Sequence, residues 1–281
     1  MELRRFAAVG DFLDAAGAFL VEREAEHNLI FGVSASLRET PDAYSGPPYL
    51  AVVRAADRVV AAAIQTPPFR LILSEVDDTA AFRLLAADVR DRDLPGVIGP
   101  VEPARAFVEA WTEFGGPAAT LQMSERSYRL TEVRPPRPVD GRVRVATTAD
   151  RELVRDWVEG FMHEAFGEAE PDEVAASTDR WLARRGRTLY LWDDDGAVSM
   201  TGVGGATPNG IRIGPVYTPP AVRGRGYASA LVAAVSQAEL DAGRRFCFLF
   251  TDLANPTSNH IYQAIGYEPI RDVDAYGFER A

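Results

Sequence analysis

Val216-Tyr-Thr-Pro-Pro-Ala-Val-Arg-Gly-Arg-Gly-Tyr-Ala228 is the stretch from which the rest of the chain is read. An apolar strand, Ile211 to Tyr217, runs into Pro219-Pro220, which cannot continue a sheet ladder, and then into a turn holding two glycines. Beyond the turn Tyr227, Ala230, Leu231, Ala234, Val235 and Ala238 recur at helical spacing, and Gly243 ends the run. A glycine turn that opens a helix aims several backbone N–H groups and the positive end of the helix dipole, roughly half a charge, at one point. This suits a phosphate or pyrophosphate, and Gly224 and Gly226 let the anion approach the backbone. The bland alternative is an exposed basic turn, and the strand-turn-helix context weighs against it.

Other phosphate motifs fail on spacing. All 30 basic residues are Arg, so there is no Walker lysine and no amine for Schiff-base chemistry. Gly202-Val-Gly-Gly-Ala-Thr207 runs into Pro208-Asn-Gly210 and another strand where a dinucleotide loop would open a helix. His163-Glu164 lacks a second histidine four residues on, and His27, His163 and His260 are scattered.

Working outward, Val133-Arg-Pro-Pro-Arg-Pro-Val-Asp-Gly141 reads as an extended connector that divides the 281 residues almost in half. That length suits two cores. The expected division is a first domain over 1–134, a proline-rich linker over 135–141 and a second domain over 142–281. After the linker come a strand at Arg142–Ala146, a helix capped by Asp150 and a second helix through Ala175–Ala183. Strands Thr188–Trp192 and Ala197–Val203 follow, joined by the hairpin signal Asp193-Asp-Asp-Gly196, and Pro208-Asn-Gly210 turns into Ile211–Tyr217. The first half repeats the order: helical Phe12–Phe31, then strands Tyr49–Val53, Val59–Gln65 and Arg70–Val76. Where the second half has the arginine-glycine turn, the first has Asp77-Asp-Thr-Ala-Ala-Phe82, whose acids repel a pyrophosphate. The halves read as diverged copies of which the second carries the chemistry.

Composition narrows the classes. A net charge of -11 argues against nucleic-acid binding by the whole chain. A mean hydropathy of -0.12 and the lack of a long apolar run argue against a membrane span. The acids in the opening stretch do not suit a signal peptide, and the single Cys247 cannot form an internal disulfide. The expectation is a cytoplasmic protein without a metal, a monomer or weak homodimer, with no nucleic-acid or membrane partner.

The turn resembles motif A of the GCN5-related N-acetyltransferases (GNAT), Gln/Arg-x-x-Gly-x-Gly/Ala, here Arg223, Gly226 and Ala228. Downstream, Asn255-Pro-Thr-Ser-Asn-His-Ile-Tyr-Gln-Ala-Ile-Gly-Tyr267 resembles the family's motif B, with Asn255, Ser258, Tyr262, Gly266 and Tyr267 at the expected offsets. The likeness is firm over Ile211–Tyr267, looser over Arg142–Ala281, and reaches the first half through strand order alone. It implies an α+β fold: two tandem GNAT-like domains, each a central, mostly antiparallel sheet flanked by helices, the first degenerate and without a cofactor site. Mycothiol synthases are tandem acetyltransferases of this kind, and the motif B wording is also similar to glycine N-acyltransferase-like proteins.

The resemblance further implies acetyl-coenzyme A as co-substrate. Its pyrophosphate is expected on Arg223, Gly224, Arg225, Gly226, Tyr227 and Ala228. Its pantetheine arm is expected to pair with the backbone of Val216 and Thr218, an edge that Pro219-Pro220 also leaves open. Asn255 and Ser258 are expected to touch the arm, although Asn255-Pro256 and Gly266 are equally natural helix caps. Tyr262 is either a core aromatic or, as the family assigns, the acid that protonates the departing thiolate, for which a phenol of pKa near ~10 is matched. Backbone N–H near Val216 is expected to stabilise the oxyanion. Many relatives carry a glutamate on the strand before motif A, whereas Gly210-Ile-Arg-Ile-Gly-Pro-Val216 has none, so a base would act through water from Glu164, Glu168 or Asp252. Cys247, in the apolar stretch Phe246–Phe250, reads as inert core.

The expected function is an N-acetyltransferase that acetylates the amine of a small molecule by direct attack. The alternatives are a non-catalytic coenzyme A sensor or scaffold, and an acyltransferase acting on amino-acid or protein amines.

Overall fold

A computed structural model of the chain describes residues 1–40, 44–167 and 169–279. The first elements are β1 (Glu2–Phe6), α1 (Val9–Glu22), α2 (Asn28–Glu39), β2 (Tyr49–Ala55), β3 (Arg58–Gln65), β4 (Leu71–Leu73), α3 (Ala81–Val89), β5 (Gly96–Pro100), α4 (Val101–Glu113) and β6 (Ala119–Leu130). They are followed by β7 (Arg142–Val145), α5 (Arg151–Phe166), α6 (Pro171–Leu182), β8 (Arg187–Asp193), β9 (Ala197–Gly204), β10 (Gly210–Tyr217), α7 (Tyr227–Asp241), β11 (Phe246–Asp252), α8 (Pro256–Ala264) and β12 (Glu268–Phe278).

The chain forms two compact units that are not contiguous in sequence. Unit 1 comprises Met1–Ser127 together with Phe250–Asn255 and Pro269–Ala281, and unit 2 comprises Tyr128–Leu249 and Pro256–Glu268. This differs from the division into 1–134 and 142–281, because the last strand groups with the first unit. The reason is strand pairing: β12 adds antiparallel to β5, from Val273↔Pro100 to Gly277↔Gly96. Its side chains continue the link. Asp272 takes two hydrogen bonds from Arg126, at 2.6 and 2.8 Å, and Asp274 takes one from Ser124 at 2.6 Å. Phe278 stacks on Trp111, with ring centroids 4.9 Å apart, inside the unit 1 core.

Within unit 1 the strand order is β1-β2-β3-β4-β5-β12-β6, antiparallel except that β4 and β5 run parallel. Alternation along the strands divides the apolar residues between two cores. Leu50, Val52, Ala62 and Ile64 face Phe12, Ala16 and Leu20 of α1, while Ala51, Val53, Ala61 and Ala63 face the side of Phe82, Leu85 and Phe107 on α3 and α4. The helix expected over Phe12–Phe31 is two helices, broken between Glu22 and Asn28.

Unit 2 repeats the plan with strand order β11-β10-β9-β8-β7, of which β10 and β11 are parallel. Helices α5 and α6 cover one face through Val154, Trp157, Val158 and Val174. On the other, Tyr227, Ala230, Leu231 and Val235 of α7 pack with Cys247 and Leu249. Asp150 does not cap α5 as expected; it closes a capping box with Thr147 one turn earlier, accepting the Thr147 N–H at 2.8 Å. The Arg144 guanidinium, 2.7 Å away, holds the Asp150 carboxyl down at about 2. The proline-rich segment is not a free linker. Val133 and Val139 pack on the unit 2 core, and the Trp192 indole N–H donates to the Asp140 carbonyl at 2.8 Å.

Candidate functional site

Two devices of unit 2 meet at the end of β10. The parallel register of β10 with β11 runs from Gly210↔Phe246 to Arg212↔Phe248. Among the described residues it ends there, while β10 continues to Tyr217. On its other edge β10 stays with β9, Val216↔Thr201 and Tyr217↔Met200, after an irregularity between Ile213 and Val216. That bulge, at Gly214-Pro215, bends the strand, because these two residues stand against the single Gly202 of β9. The edge of β10 that faced β11 is thereby left unpaired over its last residues, which is where an extended ligand can add as a strand.

The second device is the turn. Gly224 and Gly226 have φ of +75° and +90°, in the left-handed region. Gly226 is the residue at which α7 begins, and no side chain caps that end. The first turn of α7 carries no acid, so its N–H groups and dipole are not answered by the helix itself. A Cβ on Gly226 would lie 3.1 Å from Val139 Cγ1, so the turn is backed by the proline-rich segment. Tyr227 is buried, and its hydroxyl donates to Asp194 Oδ2 at 2.5 Å, which ties the helix start to the β8–β9 hairpin. This bond to the carboxylate, together with desolvation, raises the Tyr227 phenol.

Arg223 faces inward along the protein surface. Its Nε donates to the Thr218 carbonyl at 2.7 Å, one Nη donates to both Glu164 oxygens at 2.6 and 2.8 Å, and its guanidinium lies 5.7 Å from the Tyr217 ring centre. It therefore folds the turn back on β10 and α5. Thr218 also shares a 2.9 Å hydroxyl contact with Ser199, so of its backbone groups the carbonyl is already used. Arg225 and Ala228 stand on the same turn, with Arg225 close enough to Tyr227 to bias its phenol toward ionisation.

Motif B residues divide between structure and site. Tyr267 is fully enclosed and shares a 2.8 Å hydrogen bond with Ser236 of α7. Gly266, at φ +107°, lies where a Cβ would come within 2.5 Å of the Glu132 carbonyl. Tyr262 on α8 is 8 % exposed, its ring 6.1 Å from that of Tyr267, and burial alone pushes its phenol upward. The proton is accordingly retained throughout the ordinary pH range. Ser258 lies in the first turn of α8 and is half-buried. Asn255, the last residue of a segment grouped with unit 1, is exposed and donates its N–H to the Asp252 carbonyl at 3.0 Å. Burial pushes the Cys247 thiol up to about 12, and its Sγ contacts the Ser236 carbonyl at 3.7 Å. Of the three acids considered as bases, Glu164 is engaged by Arg223, Asp252 is exposed, and Glu168 lies outside the described residues.

Sequence reasoning missed three parts of this arrangement. The β10 bulge had a signal in Gly214-Pro215. The Asp194 anchor and the packing of Val139 behind Gly226 had none, because both depend on partners far apart in the chain.

Residues 151–267 match the sequence model of the "Acetyltransferase (GNAT) family". A search of curated protein sequences gave no significant match. Among solved structures, a Drosophila protein aligns with 99% of this chain and 98% of its own at 13% identity, TM-score 0.68. A tandem GNAT protein from the clavulanic acid biosynthesis pathway aligns over 98% and 97% at 16% identity, TM-score 0.59. A GNAT-family acetyltransferase from Colwellia psychrerythraea aligns over 99% and 100% at 10% identity, TM-score 0.55. At these identities the solved structures establish the fold along the whole chain. Residues 151–267 thus match the GNAT acetyltransferase family in sequence, and the whole chain has the fold of these GNAT structures, a tandem GNAT protein among them.

Proposed function

We propose that the chain is an acyltransferase that moves an acetyl group from acetyl-coenzyme A to the amine of a small molecule by direct attack, using the unit 2 turn. The observation that carries this reading is the uncapped N-terminus of α7, opened by two left-handed glycines at the end of a strand that has parted from its neighbour. The residues fit the group: the turn offers backbone donors to a pyrophosphate, and the freed edge of β10 at Val216 and Thr218 offers an extended arm a strand to lie against. When bound, coenzyme A supplies a thioester whose acyl carbon is activated toward a neutral amine.

The chain's residues then have separate tasks. Gly224, Arg225, Gly226, Tyr227 and Ala228 hold the anion through their backbone, while Arg223, Asp194 and Val139 hold the turn. Ser258 stands at the start of α8 to steady the arm. With coenzyme A bound, Tyr262 Oη would donate its proton to the sulfur released when the amine takes the acetyl group, the proton lost by the amine would pass to water, and the Tyr262 phenolate would regain a proton from water. Cys247 takes no part, since a buried thiol held protonated is not a nucleophile.

A second reading, a coenzyme A sensor without turnover, draws on one observation: Glu164, an acid in contact with the turn, is already engaged by Arg223, and β10 carries no glutamate. Thiol release from acetyl-coenzyme A, followed with a panel of small amines and with peptides, separates the readings. Amine-dependent release with a small amine is the expected result. Release with peptides only would redirect the proposal to protein amines, binding without release would favour the sensor, and failure to bind coenzyme A would overturn all three.

A further inference from the structure

Unit 1 holds a cavity of about 370 Å³ between α1 and the β1–β2–β3 end of the sheet. Its wall is built from three arginines, Arg4, Arg54 and Arg58. None of these three makes an ion pair among the described residues, and Arg4 lies over the Phe6 ring, 4.9 Å from its centre. Glu22 and Asp57 also border the cavity, both exposed, so the cations outnumber the acids by one. Arg54 is the most constrained of the three. One Nη donates to the Asp57 carbonyl at 3.1 Å, and its Nε is shut off from solvent without a hydrogen-bond partner. A buried donor left in this way is costly unless a ligand or water satisfies it. The β2–β3 register shifts between Val53 and Arg54, with Val60 the extra residue on β3, so a bulge of the neighbouring strand lies across from Arg54.

The rest of the cavity is apolar. Phe6 and Val52 come from the sheet, and Phe19 comes from α1. The helix otherwise presents Ala15 and Ala18 to the space, which any larger side chain would fill.

From this we infer that unit 1 binds a small organic monoanion, a carboxylate on an apolar body, at a site separate from the arginine-glycine turn. The carboxylate accepts from Arg54 and its neighbours in the fork geometry that guanidinium favours, and the apolar body lies on Phe6, Phe19 and Val52 against the alanines of α1. The excess of one cation matches a single negative charge. A bare phosphate would leave the apolar surface uncovered, and an amine would meet guanidinium groups.

Titration of the full chain with hexanoate, hexylamine and inorganic phosphate tests the inference. Hexanoate is expected to bind once per chain with a Kd of order 1 mM, as its few heavy atoms allow. Arg54→Met should weaken it at least ~10-fold by removing the charge-assisted bond. Ala18→Phe, on an exposed helical position that tolerates the larger residue, should do the same by filling the space without changing charge. Coenzyme A affinity should be unchanged in both variants. Hexanoate that fails to bind, that binds either variant as tightly as the wild-type chain, or that is matched by phosphate or hexylamine would overturn the inference.

Discussion

Each unit contains a strand that runs parallel to the one following its helix, and in each that strand leads through a turn into the helix: β4 into α3 in unit 1, β10 into α7 in unit 2. The unit 1 turn closes on itself. Asp78 Oδ1 takes the Ala80 N–H at 2.9 Å, Asp77 pairs with Arg23, and Glu75 is buried, held by Arg271 at 2.6 Å and by His27, whose Nε2 receives the Glu75 N–H at 3.1 Å. The unit 2 turn has glycines in place of the acids, and its helix start has no side-chain cap. One scaffold thus yields opposite electrostatics at the same point, according to whether the chain supplies its own anion. Neither α3 nor α7 has a side-chain cap, so what separates the two turns is the charge placed ahead of the helix, acids in unit 1 and glycines with arginines in unit 2.

The comparison can be pressed in four places. The largest effect is expected from Tyr262→Phe, which keeps the ring in its pocket and removes the phenol. If unit 2 carries the chemistry, turnover falls by roughly 10²- to 10⁴-fold with coenzyme A affinity intact, whereas a merely packed tyrosine leaves turnover within a few-fold. Gly226→Glu brings to unit 2 the kind of charge unit 1 carries. Coenzyme A affinity should drop at least ~10-fold, about 1.4 kcal/mol, beyond any loss seen with Gly226→Ala, which controls for the left-handed φ. Equal affinities in the two variants would show that the turn is not where the phosphate sits.

Asp78→Ala asks the converse question of unit 1. Loss of the carboxylate on the Ala80 N–H should lower stability by about 1 kcal/mol in chemical denaturation. The calorimetric stoichiometry of coenzyme A should stay at one per chain, because no glycine turn is created; a second equivalent would show that the acid alone had closed a working site. Glu164→Gln should have the smallest effect. The pair it makes with Arg223 is nearly half exposed on both sides, so stability changes by less than ~1 kcal/mol. Coenzyme A affinity should change less than ~3-fold if backbone groups rather than the Arg223 side chain hold the anion, and a larger gain would give that guanidinium a direct part.

The turn was legible because its signals are local. Glycine for positive φ, paired prolines to stop a strand and an unbroken helical stripe are written within a few residues of each other, and Gly224, Gly226 and α7 stand where those signals put them. The repeat of strand order was legible for the same reason. What could not be read depends on distant partners. Asp150 was expected to cap α5 because it stands directly before it, but Thr147 and Arg144 offered a better place one turn earlier. Three prolines marked a connector, yet nothing in them told that Val139 would back Gly226. The last strand gave no sign of where it would pair. β12 alternates like any half-buried strand, and its membership of unit 1 rests on a register with β5 that no local pattern encodes.

That membership sets a timetable for synthesis. On the ribosome β5 is made long before β12, and the whole of unit 2 is translated between them. Until residues 269–278 appear, unit 1 has a bare sheet edge at β5. A gene cut at the proline-rich segment would encode a first half with that edge permanently open, prone to aggregate in isolation, and a second half trailing a strand that belongs elsewhere. The two units are thus encoded as one interleaved message, the last strand of the first written after nearly all of the second.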